Sequence, residues 1–186
     1  MSKGIVLSLY DFTGEAATTM KLELKNIKHS EWASEETHCY KASLYVDGKP
    51  LAVVSNDGHG GGDRDYAHPK FNDEFSVYCD KMLAVHAYFK SLPKTTSEWC
   101  ADGLPQELEF WCADQVNDWL SARELKKKLK SHVLFQLKYK DGVFQTKFHP
   151  TVTNGEWVIN KQSGETRRIL NDMPFDEALA IWKETA

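Results

Sequence analysis

No apolar run in the 186 residues approaches the ~18–20 that a membrane-spanning helix requires, so no membrane role is expected. The opening stretch Met1–Tyr10 has neither a long apolar core nor a small-residue cleavage site, so no secretory signal is expected either. The Gly-Lys-Ser/Thr ending of a phosphate loop is missing, and so are the spacing of a dinucleotide fingerprint and the acidic ladder of a calcium loop. Helix-turn-helix, zinc-finger and RNP signatures are missing too. Cysteine is scarce, with four residues, Cys39, Cys79, Cys100 and Cys112. A chain of this length buries a full core without disulfides, so free thiols in a reducing cytoplasm are expected.

What is present is ordinary in bulk and uneven in detail. Apolar residues make up 41% and charged residues 27%, the composition of a globular protein, and one domain is expected over residues 1–186. The net charge of −4 is not spread evenly. Residues 1–122 carry 11 Lys/Arg against 19 Asp/Glu, residues 123–168 carry 11 against 4, and residues 169–186 carry one against 4. A basic stretch inside an acidic protein marks either a surface for an anionic partner or a well-solvated face.

The pattern of elements reads as α+β: an antiparallel N-terminal β-meander, two central helices, C-terminal hairpins and a short terminal helix. Gly4–Tyr10 is a β-favouring run, and Met20–Ile27 alternates with period two, putting Met20, Leu22 and Leu24 on one face. Tyr40–Val46 and Leu51–Val54 flank Asp47-Gly48, a strong hairpin signal. Residues 55–69 read as a loop. A first helix follows, with Phe71, Phe75, Tyr78, Cys79, Met82, Leu83, His86 and Phe89 at helical spacing, Asn72 as its cap and Pro93 beyond its end. A second helix starts near Pro105, presents Leu108, Trp111, Cys112, Val116, Trp119 and Leu120 on one stripe, and continues into the basic tract Arg123–Lys130. Val133–Tyr139 and Val143–Phe148 form a second hairpin across Asp141-Gly142, and further turns are expected at Asn154-Gly155 and Ser163-Gly164. Pro174–Trp182 is the terminal helix, with Asp172 as its cap.

Three segments carry candidate chemistry. In Asn56-Asp57-Gly58-His59-Gly60-Gly61-Gly62-Asp63-Arg64-Asp65, consecutive glycines give up backbone entropy, which a nest of amides cradling an anion would justify. In that version Asn56, Asp57, His59, Gly60, Gly61, Gly62 and Arg64 form the ligand site, with His59 or Glu36 available for proton transfer. The bland alternative is a surface loop leading into the first helix. Asp57, His59, Asp63, Asp65 and His68 offer metal-type donors, but their spacing fits no known loop, and neither a metal nor a cofactor is expected. Ser34–Cys39 places His38 beside Cys39, yet on a strand the two point to opposite faces, which disfavours a nucleophile–base pair. Cys79, Cys112 and His86 read as packing residues. Lastly, Arg123, Lys126, Lys127, Lys128 and Lys130 form a candidate partner-binding surface. Together with Lys138, Lys140, Lys147, Arg167, Arg168 and the rings of Tyr139, Phe144 and Phe148, it would suit nucleic acid. A cationic helix end that complements the helix dipole is the plain alternative.

The run from Trp32 through Thr37-His38-Cys39-Tyr40 to Asp47-Gly48-Lys49, continuing over Val54-Ser-Asn-Asp-Gly-His-Gly-Gly61, resembles a family of small proteins encoded by bacteriophages and other mobile elements. Trp119-Leu120, the tract Leu125–Lys130 and Ile169-Leu170-Asn171 fit it more loosely. The resemblance brings no activity with it. It implies a bacterial host cytoplasm and an accessory role. With no catalytic constellation in view, the leading expectation is a non-enzymatic binder of a host protein or complex, an inhibitor of a defence system among the options. A phosphate- or nucleotide-handling loop and a nucleic-acid binder stay open beside it.

Overall fold

The alternation at Met20–Ile27 becomes the edge of a four-stranded sheet, because period two buries one face of a strand and leaves the other in water. The computed structural model describes residues 20–97, 100–138, 140–146, 152–153, 156–157 and 166–185, and the chain divides into two units, Met1–Val116 and Asn117–Ala186. Its class is α+β.

In the first unit, β1 (Leu22–His29), β2 (Tyr40–Val46), β3 (Lys49–Asn56) and β4 (Arg64–Ala67) form an antiparallel meander in sequence order. Leu22 and Leu24 are buried as the alternation requires. Asn26, at φ +55°, sits in a bulge between Lys25 and Lys28, a backbone that asparagine tolerates better than most residues. Asp47 and Gly48 both have positive φ and link Val46 to Lys49, the two-residue turn that the Asp-Gly signal predicts. All four residues from Leu51 to Val54 are buried, which explains why that strand shows no alternation. β4 is a correction: it lies within the stretch expected to be loop. The glycine-rich segment therefore joins two paired strands instead of running into a helix. Its four residues, Arg64-Asp65-Tyr66-Ala67, do not alternate polar and apolar, so no period of two marks the strand.

α1 (Phe75–Ser91) buries Tyr78, Met82, Val85 and Phe89. Phe75, Leu83 and His86, expected on the core stripe, are exposed, so His86 is no core histidine. The apolar residues of this helix span a sector wider than its contact face, and helical spacing alone does not choose between two stripes about half a turn or less apart. Glu74, not Asn72, is the N-cap, and it makes no side-chain cap bond; Leu92 closes the helix just before Pro93. β5 (Thr95–Ser97) and β6 (Cys100–Leu104) add a small hairpin that no turn signal announced. α2 (Leu108–Ser131) then runs unbroken for 24 residues, and the division between the two units falls within it. Leu108, Cys112 and Val116 are its buried positions in the first unit.

In the second unit, β7 (Val133–Leu137) pairs with β8 (Phe144–Thr146). β9 (Val152–Thr153) pairs with β10 (Glu156–Trp157), and β11 (Thr166–Ile169) lies on the other side of β7. Phe135 opposes Phe144, so the link between the last paired residues is eight long, and Asp141-Gly142 sits inside it instead of forming a two-residue turn. Asn154-Gly155 and Ser163-Gly164, like Gly4–Tyr10, lie outside the described residues, although β9 and β10 stand where the first of those turns was expected. α3 (Phe175–Thr185) begins one residue after Pro174; Asp172 belongs to the short 3-10 turn Leu170–Asp172 that precedes it. The core here is Leu125, Leu134, Leu170 and Ala178, with Leu129, Ile181 and Trp182 packed around it. Asn171 ties it together. Its Oδ1 accepts from Leu134 N at 2.8 Å, and its Nδ2 donates to Leu129 O at 3.3 Å and His132 O at 3.0 Å, serving carbonyls that the end of α2 leaves open.

Candidate functional site

The glycine-rich segment is organised by one buried side chain, Asn56, at 8% exposure. Its Oδ1 accepts from Thr37 Oγ1 at 2.7 Å and from Gly58 N at 2.9 Å, while its Nδ2 donates to Gly61 O at 2.8 Å and Asp63 Oδ1 at 3.0 Å. Gly58 O in turn accepts the amides of Glu35, Glu36 and Thr37 at 3.0, 2.9 and 3.3 Å. Gly58 has φ +91°, and a Cβ there would lie 2.0 Å from Ala33 O; one on Gly60 would lie 2.1 Å from Glu36 Oε2. Gly61 has open space around it. Glycine is thus needed at 58 for close approach to the backbone of Ala33, and at 60 for its φ of +82°, since the Glu36 carboxylate can swing aside.

Three amides of this loop are turned to internal acceptors: Gly58 N to Asn56, His59 N to Asp57 Oδ1 at 3.5 Å, and Gly60 N to Thr37 Oγ1 at 3.4 Å. Arg64 meets Asp57 at 3.1 Å and His59 meets Glu35 at 3.2 Å. Both pairs are exposed and contribute little to stability. They do place carboxylates beside both Arg64 and His59, with Glu36 against Gly60 and Glu109 against Gly62.

Below the loop lies a cleft of about 290 Å³ lined by Asp63, Asp65, His86, Lys90, Glu107 and Glu109, among others. Sequence reading assigned no joint role to these residues. The one signal was Asp63-Arg64-Asp65, whose period of two puts both carboxylates on one side of an extended chain. Tyr40 donates its hydroxyl to Asp63 and Tyr78 donates to Asp65. Burial first, then the neighbouring Cys112 and Asp63, hold the Tyr40 hydroxyl well above the usual phenol range. Burial and Asp65 do the same for Tyr78, and burial followed by the charge of Asp63 raises the Cys112 thiol. All three groups are neutral proton holders at ordinary pH. Among the described residues no three His, Cys, Asp or Glu side chains are placed to hold a metal ion. His68 lies at the far end of β4, stacked edge-on against Tyr45 at 6.1 Å.

Around Ser34–Cys39, Ser34 Oγ donates to Ser30 O at 2.7 Å, accepts from Cys39 N at 2.9 Å and lies 3.2 Å from His29 Nε2. With its proton given to a carbonyl, Ser34 is a turn-closing hydroxyl and not an activated nucleophile. His38 turns its ring toward His29, with centroids 5.3 Å apart. The four cysteines are free thiols, Cys112 buried and the other three half-buried.

In the second unit the basic tract resolves into a face. Trp119, Arg123, Lys126, Lys127 and Lys130 fall at i, i+4, i+7, i+8 and i+11 of α2 and line one shallow depression of about 620 Å³. Lys128 is apart from them: it reaches the other way and donates to Gln145 Oε1 at 3.0 Å. Arg123 lies over the Trp119 ring at 5.4 Å and Lys126 over Phe175 at 5.0 Å. None of the four exposed cations forms an ion pair with a described residue. Glu124, the one acid between Trp119 and Ser131, points about 100° round the helix from Arg123. Of the wider set proposed from sequence, Lys140 lies over Phe144 at 5.2 Å, while Tyr139, Lys147 and Phe148 are outside the described residues, and so is the side chain of Arg167.

Family models, curated proteins and solved structures provide no match to this chain. Among the described residues no helix is long and apolar enough to cross a membrane.

Proposed function

We propose that this protein is a binding module, not an enzyme, and that it occupies a polyanionic host complex with the α2 face formed by Trp119, Arg123, Lys126, Lys127 and Lys130. The observation that carries this reading is four exposed cations on one helical stripe, none of them ion-paired among the described residues. The helix dipole accounts for charge only in the last turn, where Lys128 and Lys130 sit; Arg123, Lys126 and Lys127 lie beyond its reach. Like charges at i, i+4, here Arg123 with Lys127 and Lys126 with Lys130, destabilise a helix by about 0.2–0.5 kcal/mol per pair. The ring contacts of Arg123 and Lys126 offset part of that cost within the fold, whereas a polyanionic partner would offset it at all four positions. A phage-type accessory role in a bacterial cytoplasm, directed at a defence complex, is consistent with such a surface.

The test is crosslinking in the bacterial host followed by purification at low salt. A stoichiometric partner should be attached through peptides carrying Lys126, Lys127 or Lys130. It should be lost from Arg123→Glu/Lys127→Glu, and a partner that the double variant retains undiminished sinks the proposal. A phosphate-handling role for residues 56–65 would require His59 and Arg64 to leave Glu35 and Asp57, in surroundings that are net acidic, so the loop takes second place.

A further inference from the structure

Building on the reading of the α2 face as a binding surface, we infer that its partner is single-stranded nucleic acid, with the cations tracking phosphates and Trp119 stacking on a base. Two features of the face select this partner over an acidic protein. First, the cations are three lysines and one arginine, and lysine is depleted in the cores of protein–protein interfaces but is a standard phosphate contact. Second, the row of charge is joined to aromatic rings. Trp119 lies half-buried at one end under Arg123, and Phe175 lies half-buried beside Lys126. A basic track with flat rings along it is the arrangement by which proteins hold single strands without reading sequence. From Arg123 to Lys130 the helix rises about 10 Å, a span of only a few nucleotides of one strand. The depression is shallow and open, so an unstacked base can reach the indole from the side. Bases held inside a duplex cannot.

The experiment is fluorescence anisotropy on the full chain with labelled oligothymidylate and oligouridylate, a duplex of equal length, and polyglutamate as competitor, across a series of salt concentrations. The single strands should bind, with log K falling against log salt at a slope of about −0.7 per contacted phosphate, near −3 if all four cations engage. Lys127→Gln should make that slope shallower by about 0.7. Trp119→Leu should weaken binding about fivefold to a hundredfold and leave the slope unchanged. Lys127 is exposed, so its variant reports even if Trp119→Leu folds poorly. Tighter binding of the duplex overturns the single-strand assignment. Equal competition by polyglutamate, with no effect of Trp119→Leu, overturns it in favour of an acidic protein. If no oligonucleotide binds while Arg123→Glu/Lys127→Glu still abolishes the crosslinked partner, the nucleic-acid inference falls and the surface stands. If the double variant keeps its partner, the surface itself falls.

Discussion

At the glycine-rich hairpin of the first unit the guanidinium and the imidazole each have a carboxylate beside them: Arg64 meets Asp57 at 3.1 Å and His59 meets Glu35 at 3.2 Å. On α2 in the second unit, Arg123, Lys126, Lys127 and Lys130 share a stripe without a carboxylate among them. Both segments stood out in the sequence, one for its glycines and one for its lysines. The hairpin directs its polar groups inward, through Asn56 and the carbonyl of Gly58, and explains itself as structure. The helix leaves its polar groups outward and mutually repelling, which structure alone does not explain. Internal pairing is what separates a conspicuous segment that shapes the fold from one that awaits a partner.

That contrast can be broken at several points. Asn56→Leu removes four hydrogen bonds at one buried position and leaves Thr37, Gly58 N and Asp63 short of partners; we expect a loss of about 3 kcal/mol or more in urea unfolding. If the loss is below about 1 kcal/mol, the hairpin is not built around Asn56. Gly58→Ala forces a Cβ to within 2.0 Å of Ala33 O at φ +91° and should cost about 2 kcal/mol. Gly61→Ala, with open space, should fall within about 0.5 kcal/mol of the parent. Equal effects at the two glycines would contradict the distinction drawn between them.

The proton holders beneath the loop give a pH signature. Burial raises Tyr40, Tyr78 and Cys112 in the folded chain, so the unfolded chain releases those protons first. Stability is therefore complete below the ordinary thiol and phenol values, near pH 8.5 and 10, and declines as pH rises above them. Tyr40→Phe should cost about 1 kcal/mol at neutral pH and flatten the alkaline decline above pH ~10 by up to about 1.4 kcal/mol per pH unit. Thermal melts of parent and variant between neutral and alkaline pH measure both. An unchanged alkaline slope would mean that Tyr40 is not held neutral by the fold.

The smallest expected change lies on α2. Lys127→Glu replaces repulsion from Arg123 with attraction, so the variant should be as stable as the parent or up to about 0.5 kcal/mol more stable at low salt, even as partner binding is lost. A destabilised variant would show that the basic face contributes to the fold after all.

Much of the architecture was legible in the residues. The alternation of Leu22 and Leu24 and the Asp47-Gly48 turn stand where local patterns put them, while α2 starts at Leu108, three residues beyond the Pro105 expected in its first turn. The stripe of α1 was misread because His86, Phe75 and Leu83 keep helical time as well as Val85 does, and only the sheet selects the face. The register of β7 against β8 escaped because Asp141-Gly142 is a turn former without a two-residue hairpin to close. Of the candidate sites, the basic residues were legible as one tract of sequence, and the helix then sorts them by face. What was not legible was that Lys128 turns away to Gln145 while Trp119 joins the other four.

The sequence by itself determined the α+β class, the hairpin at Asp47-Gly48 and the clustering of positive charge at 123–130, because these depend on neighbours a few residues apart. Tertiary structure alone decided that Asn56 anchors the glycine loop against Thr37, that Tyr40 and Tyr78 hold Asp63 and Asp65 beside a cleft, and that Asn171 closes α2 onto β7. Those contacts join residues 13 to 42 positions apart, and their geometry exists only once the burial of apolar surface has brought the strands and helices together.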